Sequence, residues 1–157
     1  MIEILVPGKD ERIEIAHLVL DFNGTLALDG KIKAGVGELL GRLSRRLSIH
    51  ILTAGTFGDV EKEVQAFPCE LKILSGPDQT AQKGRTVEAL GTECTVAIGN
   101  GRNDMAMLKK AKLGILVIQE EGAATEALLA ADIVCTDIIA ALNLLLQPLR
   151  LTATLRT

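Results

Sequence analysis

Apolar runs of strand length alternate with amphipathic segments of helix length along most of the chain. IAHLVLDF (15–22) reads as a strand, and residues 35–46 follow with Val36, Leu39, Leu40 and Leu43 at helical spacing. SIHILT (48–53) is strand-like, DVEKEVQAF (59–67) helical and LKIL (71–74) a short strand. GPDQT then supplies a turn and a helix N-cap ahead of QKGRTVEAL. CTVAIG (94–99), NDMAMLKKA, LGILVI (113–118), GAATEALLAA, DIVCT (132–136) and DIIAALNLLL continue the rhythm. The strands are apolar throughout rather than alternating, as expected of strands covered on both faces. The pattern predicts an α/β fold, a doubly wound and mostly parallel sheet with helices on both sides.

The two ends depart from this rhythm. MIEILV and RIEIAH flank PGKDE, which predicts an N-terminal β-hairpin leading into the first core strand. LRLTATLRT, after Pro148, is compatible with a strand or a frayed end. With no internal repeat, low-complexity segment or linker, the 157 residues suit one domain: a hairpin extension at 1–16 and a core at 17–147.

Composition narrows the function. The net charge is −3 and the pI about 5.4, with 3 Phe and no Trp or Tyr. Neither a basic footprint nor stacking aromatics for nucleic acid are present. The 3 cysteines, Cys69, Cys94 and Cys135, are far apart and form no CxxC pair, which argues against a disulfide framework or a zinc knuckle. Reduced thiols in a cytoplasm fit better. MIEILVPGKDER lacks the features of a signal peptide. No apolar run approaches the ~20 residues of a membrane helix.

Ligands of parallel α/β sheets sit beyond the carboxyl ends of the strands, and four segments place polar residues there. The first is Asp21 with Asn23, Gly24 and Thr25; the second is Thr53 with Ala54 and Gly55. The third is Lys83, near the start of a helix, and the fourth is GNGRND (99–104), with Asn100 and Asp104. Each alone has an ordinary explanation: a capping Asp, a turn hydroxyl, a solvated lysine, a glycine turn. A cation in the first turn of a helix, however, opposes the macrodipole by roughly 0.3–1 kcal/mol, which is compatible with a partner that holds Lys83 there. Carboxylate, hydroxyl, lysine and carboxylate at consecutive strand ends is an order that random strand ends rarely supply.

On these motifs the chain resembles the haloacid dehalogenase superfamily of aspartate-nucleophile phosphotransferases. DFNGT stands where the family has DxDGT, ILT ends on Thr53, Lys83 precedes a helix, and GNGRND matches the acidic motif GDGxND. The resemblance spans roughly 15 to 140. DFNGTLA, GNGRNDMAML and AADIV look most like the phosphorylation domain of P-type ATPases, and more closely still like small stand-alone P-type ATPase-like proteins. That subgroup also has Asn at the position of Asn23; its TADTFG is TAGTFG here, with Gly55 in place of Asp.

The resemblance implies that Asp21 attacks a phosphoryl group and forms an aspartyl phosphate. Mg²⁺ would neutralise the site, with Asp21, the carbonyl of Asn23, Asn100 and Asp104 as candidate ligands. Thr53, Lys83, backbone N–H groups around residues 22–24 and Ala54 would hold the phosphoryl oxygens, and Gly24 would let the backbone approach. Position 23 is a general acid and base in phosphatases of the family. Asparagine can donate a hydrogen bond but cannot shuttle a proton at neutral pH. The implied function is a hydrolase slow on ordinary phosphomonoesters; the alternative is a regulatory module that binds phosphate and metal with little turnover. ATP hydrolysis ranks last, because no GxxxxGK[ST] loop is present.

The connections leave no room for the cap domain of many relatives, so a capless core open to phosphorylated macromolecules, or covered by a second subunit of a homo-oligomer, is expected. His17 and His50 read as core or edge residues, Met105 and Met107 as helix packing, Asp29 as part of a DG turn, and Asp59 and Glu61 as a helix start. Arg102 reads equally as a phosphate contact or a solvated charge.

Overall fold

The structure, a computed structural model, describes residues 1–8, 11–55 and 59–156, apart from the side chain of Glu11. It opens with an antiparallel hairpin, β1 (Ile2–Val6) and β2 (Glu11–Ile15). β3 (His17–Asp21) follows, then a miniature hairpin of β4 (Ala27–Leu28) and β5 (Lys31–Ile32). Helix and strand then alternate: α1 (Val36–Leu43), β6 (Ser48–Thr53), α2 (Val60–Val64), β7 (Glu70–Ile73), α3 (Gln79–Leu90) and β8 (Thr95–Gly99). α4 (Met105–Lys110), β9 (Leu113–Val117), α5 (Thr125–Ala130), β10 (Ile133–Cys135), α6 (Ile138–Leu146) and α7 (Pro148–Leu155) complete the chain.

Six strands form one parallel sheet in the order β10-β9-β8-β3-β6-β7. From β3 the chain winds outward through β6 and β7, then returns to β8 on the other side of β3. The strand order therefore reverses at the end of β3, the kind of crevice in which open α/β sheets bind ligands.

Alternating side chains feed two cores. Leu18 and Leu20 join a large cluster with α1, α6, Leu151 of α7 and the inward face of the first hairpin (Ile2, Ile4, Val6, Ile13, Ile15). Val19, Leu52, Ala97 and Leu116 join a smaller one with Val87 of α3, Met107 and Leu108 of α4 and Ala127 of α5. Both faces of the sheet are thus covered, which is why its strands read as unbroken apolar runs. The N-terminal hairpin is part of the larger core rather than an appendage to it.

Two expectations change in detail. The tail is neither strand nor frayed end but α7: Pro148 opens it at a position where its fixed φ suits a helix and its missing N–H costs nothing. α2 is shorter than 59–67, starting where the Asp59 carboxylate accepts the N–H of Lys62 at 3.2 Å. Lys9 and Asp10 of PGKDE, and Thr56–Gly58 of TAGTFG, lie outside the described residues. Between β3 and α1 stands only the β4–β5 hairpin, turned by Asp29 and Gly30 at φ 50° and 77° as the DG pair predicts. Among the described residues no single helix is long and apolar enough to cross a membrane.

Candidate active site

Asp21 ends β3 between β6 and β8 and is 7% exposed. Lys83 is fully buried, with Nζ 2.5 Å from Asp21 Oδ1 and 2.6 Å from Asp104 Oδ1. α3 begins at Gln79, so Lys83 stands in its second turn rather than its first. Two carboxylates hold it there. Burying an ion costs several kcal/mol unless charged, hydrogen-bonded partners offset the loss of water, and these partners come from two other segments.

Asp104 is turned inward. Its Oδ2 accepts the backbone N–H groups of Asn100 at 2.9 Å and Gly101 at 2.8 Å, closing the turn after β8. Gly99 makes room for it: a Cβ there would come within 2.6 Å of Asp104 Cγ. Three donors occupy the two oxygens and the residue is fully buried. This geometry makes Asp104 the partner of Lys83 and the clamp of the turn. The end of β8 also offers the oxygen Asn100 Oδ1 to the cavity. Asn100 Nδ2 donates to the Gly122 carbonyl at 3.0 Å, leaving Oδ1 3.2 Å from Thr25 Oγ1. That hydroxyl is also 3.2 Å from Asp21 Oδ2, and its one proton serves one oxygen at a time.

A cavity of about 210 Å³ opens on this group, lined by Asp21, Asn23, Thr53, Ala54, Asn100 and Glu121, with Gly101 and Asn103 at its edge. Thr53 is 2% exposed, and its Oγ1 accepts the Gly55 N–H at 3.2 Å, leaving its own O–H to donate. Asn23 Oδ1 is buried with no hydrogen-bond partner among the described residues. Gly24, at φ +79°, lies under the side chains of Asn100 and Glu121: a Cβ there would be 2.5 Å from Asn100 Nδ2 and 2.6 Å from Glu121 Oε2. Its absent side chain is thus required by these neighbours.

Of the expected residues, Asp21, Asn23, Thr53, Ala54 and Asn100 meet on the cavity wall, with Lys83 and Asp104 behind Asp21. Glu121 and Asn103 were not anticipated. For Glu121 a signal was present: QEEG follows the apolar run LGILVI, the next strand over from β8. Arg102 points away, 77% exposed and paired with Glu126 at 2.9 Å.

Burial pushes the Asp21 carboxyl up to about 7, the Asp104 carboxylate adds to the rise, and Lys83 opposes both. Burial alone would lower the Lys83 ammonium, but Asp21 and Asp104 outweigh it and hold it above the ordinary lysine range. The polar side chains on the cavity wall offer oxygen and amide groups, with no thiol or imidazole. When ionised, three carboxylates (Asp21, Asp104, Glu121) face one ammonium. That set fits a hard dication such as magnesium, which binds through one or two carboxylates and retains several waters. Among the described residues no three His, Cys, Asp or Glu side chains are grouped closely enough to hold a metal ion alone. Amide, carbonyl, water and substrate oxygens would complete the shell.

Residues 77–138, which include Lys83, Asn100, Asp104 and Glu121, match the family model for haloacid dehalogenase-like hydrolases. The fold is similar to that of 3-deoxy-D-manno-octulosonate 8-phosphate phosphatase from Moraxella catarrhalis, solved in complex with magnesium, phosphate and KDO. The TM-score is 0.65 at 16% identity, covering 88% of this chain and 90% of that one. The segment 77–138 is thus similar to the haloacid dehalogenase-like hydrolases, and the fold of the chain to that of a phosphatase. Among curated proteins, it is 56% identical over 61 residues to an uncharacterized protein of Methanocaldococcus jannaschii, covering 39% of this chain and 66% of that one. It is 27% identical over 129 residues to the probable phospholipid-transporting ATPase IM of Homo sapiens, covering 80% of this chain but 10% of the ATPase. The chain therefore spans just under two thirds of the first relative and a tenth of the second.

Proposed function

We propose that this protein is a magnesium-dependent phosphoryl-transfer enzyme with Asp21 as its nucleophile. The observation that carries this reading is the buried chain Asp21–Lys83–Asp104, open to a cavity at its Asp21 end alone. A purely structural ion pair gains nothing from a cavity beside one of its carboxylates, whereas a nucleophile requires one.

An oxygen of Asp21 forms a bond to phosphorus, and the bond from phosphorus to the leaving group breaks, its electron pair departing with that group. Lys83 has three N–H donors, two committed to carboxylates; it lies behind Asp21, off the cavity wall, and the third would serve a phosphoryl oxygen once one is bonded to Asp21. The Thr53 O–H and the backbone beside Ala54 take other oxygens. Magnesium, held by Asp21, Asn100 and the Asn23 carbonyl, would supply charge neutralisation. Asn23 cannot protonate a basic leaving group, and general acid–base catalysis is typically worth about 10²–10⁴-fold. Donors with good leaving groups are therefore favoured, and the phosphorylated Asp21 hydrolyses slowly. At about 210 Å³ the cavity is small beside the ~300–1,000 Å³ of clefts that enclose a drug-sized ligand. A phosphoryl group fits while the rest of the substrate lies outside, which favours phosphorylated macromolecules. A cytoplasmic location and a homo-oligomer covering the open site belong to the same reading.

Asn23 also favours a second reading, a regulatory module that binds phosphate and metal with little turnover. Assays with acetyl phosphate and p-nitrophenyl phosphate, with Asp21→Asn as the blank, separate the two. The enzyme reading expects magnesium-dependent hydrolysis of acetyl phosphate, faster than that of the ester and absent in Asp21→Asn. Asn23→Asp should raise ester turnover. Activity indifferent to Asp21→Asn would refute the assignment, and phosphate binding without turnover would favour the module.

A further inference from the structure

We propose that Glu121 is a ligand of the divalent cation in this site, supplying the charge that Asn100 does not; the inference rests on the phosphoryl-transfer reading above. At the carboxyl ends of β3 and β8, Asp21 is the one carboxylate on the cavity wall, and Lys83 already shares it. Asp104 is turned inward, and Asn100 brings an oxygen without charge. One shared carboxylate and a neutral amide make a weak site for a dication. Glu121 changes the sum: with it, the ionised group carries two negative charges in excess of Lys83, instead of one.

Its position is fixed from both sides. Gln119 Nε2 donates to the carbonyls of Gly24 at 3.0 Å and Thr25 at 2.9 Å, while its Oε1 accepts the Ile138 N–H at 2.9 Å. The Ala124 N–H donates to the Asn100 carbonyl at 2.9 Å, and the Asn100 amide binds the Gly122 carbonyl. Two consecutive glutamates then part company. Glu120 pairs with Lys33 at 2.7 Å. Glu121 faces the cavity, and among the described residues its carboxylate has no hydrogen bond or ion pair. Its Oε2 and Asn100 Oδ1 converge above Gly24, at 2.6 and 2.7 Å from where a Cβ would stand.

The asparagine now has a reason. Its amide N–H anchors the loop that carries Glu121, and a carboxylate at 100 would set an oxygen against the Gly122 carbonyl. The negative charge has moved from the end of β8 to the loop after β9, and Asn100 is the tether. A glutamate merely solvated at a cavity rim would tolerate neutralisation without loss of ion affinity.

The test is Mg²⁺ titration by calorimetry and Mn²⁺ titration by electron paramagnetic resonance, on the full chain with inorganic phosphate present. Glu121→Gln should weaken both ions by ~10–100-fold, at least what loss of an outer-shell partner costs. Its thermal midpoint without the ion should stay unchanged, and Glu120→Gln should bind like the wild type. Wild-type affinity in Glu121→Gln, with binding lost in Asp21→Asn, overturns the role of Glu121 and leaves the phosphoryl-transfer reading standing. No ion uptake by the wild type overturns the metal-dependent reading, and the role of Glu121 with it.

Discussion

β3 carries titratable side chains at both ends, and the fold treats them in opposite ways. At the amino end His17 Nδ1 lies 3.2 Å from His50 Nε2, and His50 Nδ1 lies 3.1 Å from Glu70. At the carboxyl end Lys83 ties Asp21 to Asp104. Each is a chain of three groups drawn from separate segments. The first opens to water through Glu70, whose side chain is 73% exposed; the second is sealed, with Lys83 and Asp104 side chains at 0%. Where water reaches, it settles charge and the contact is worth little. Where it does not, every charge depends on a fixed partner, and a pocket beside one of them becomes a place for chemistry.

The contrast is broken most sharply at Lys83. Lys83→Met leaves two buried carboxylates without their cation and should cost about 3–5 kcal/mol at neutral pH. Urea unfolding should show a smaller loss at pH 5, where Asp21 holds a proton. A loss no larger than that of a histidine variant would erase the distinction between sealed and open ends.

The second test is the sign of the pH dependence. The folded chain keeps the Asp21 proton up to about 7, against 3.8 ordinarily. Between those values the folded state binds more protons, so this group's contribution to stability is full below about 4 and is lost as pH rises to 7. Asp21→Asn should flatten that decline in ion-free urea titrations, and added magnesium should stabilise the wild type more at pH 8 than at pH 5. His50 moves the other way. Burial first, opposed by Glu70 and aided by His17, lowers its pKa below 6.5. Its contribution is full above 6.5 and is lost as pH falls through the lowered value.

Gly24→Ala comes next. Positive φ and contact with Asn100 and Glu121 should together cost about 1–3 kcal/mol, read as a shift in the urea midpoint. The smallest effect belongs to His50→Gln, with a loss of no more than about 1 kcal/mol in the same assay.

Much of this was legible in the sequence because strand ends announce themselves. An apolar run that stops on Asp21, Thr53 or Gly99 tells where the sheet ends and which residues stand there. Spacing does not tell which way a side chain turns. Gly99 and two backbone N–H groups draw Asp104 inward, toward Lys83. Lys83 reads as a first-turn charge until α3 is seen to start at Gln79. Glu121 was missed because its placement depends on Gln119 and Asn100, contacts about 95 and 22 residues away along the chain. α7 was missed for a similar reason: Leu151 is buried while Leu149 is 83% exposed, a choice made by packing near the distant hairpin.

The most direct test of the central claim is intact mass spectrometry after incubation with acetyl phosphate and magnesium. The wild type should gain one phosphoryl adduct that requires the ion, Asp21→Asn should gain none, and the adduct should decay faster in Asn23→Asp. An adduct undiminished in Asp21→Asn, or no adduct in a wild type that turns esters over rapidly, would contradict the assignment of Asp21.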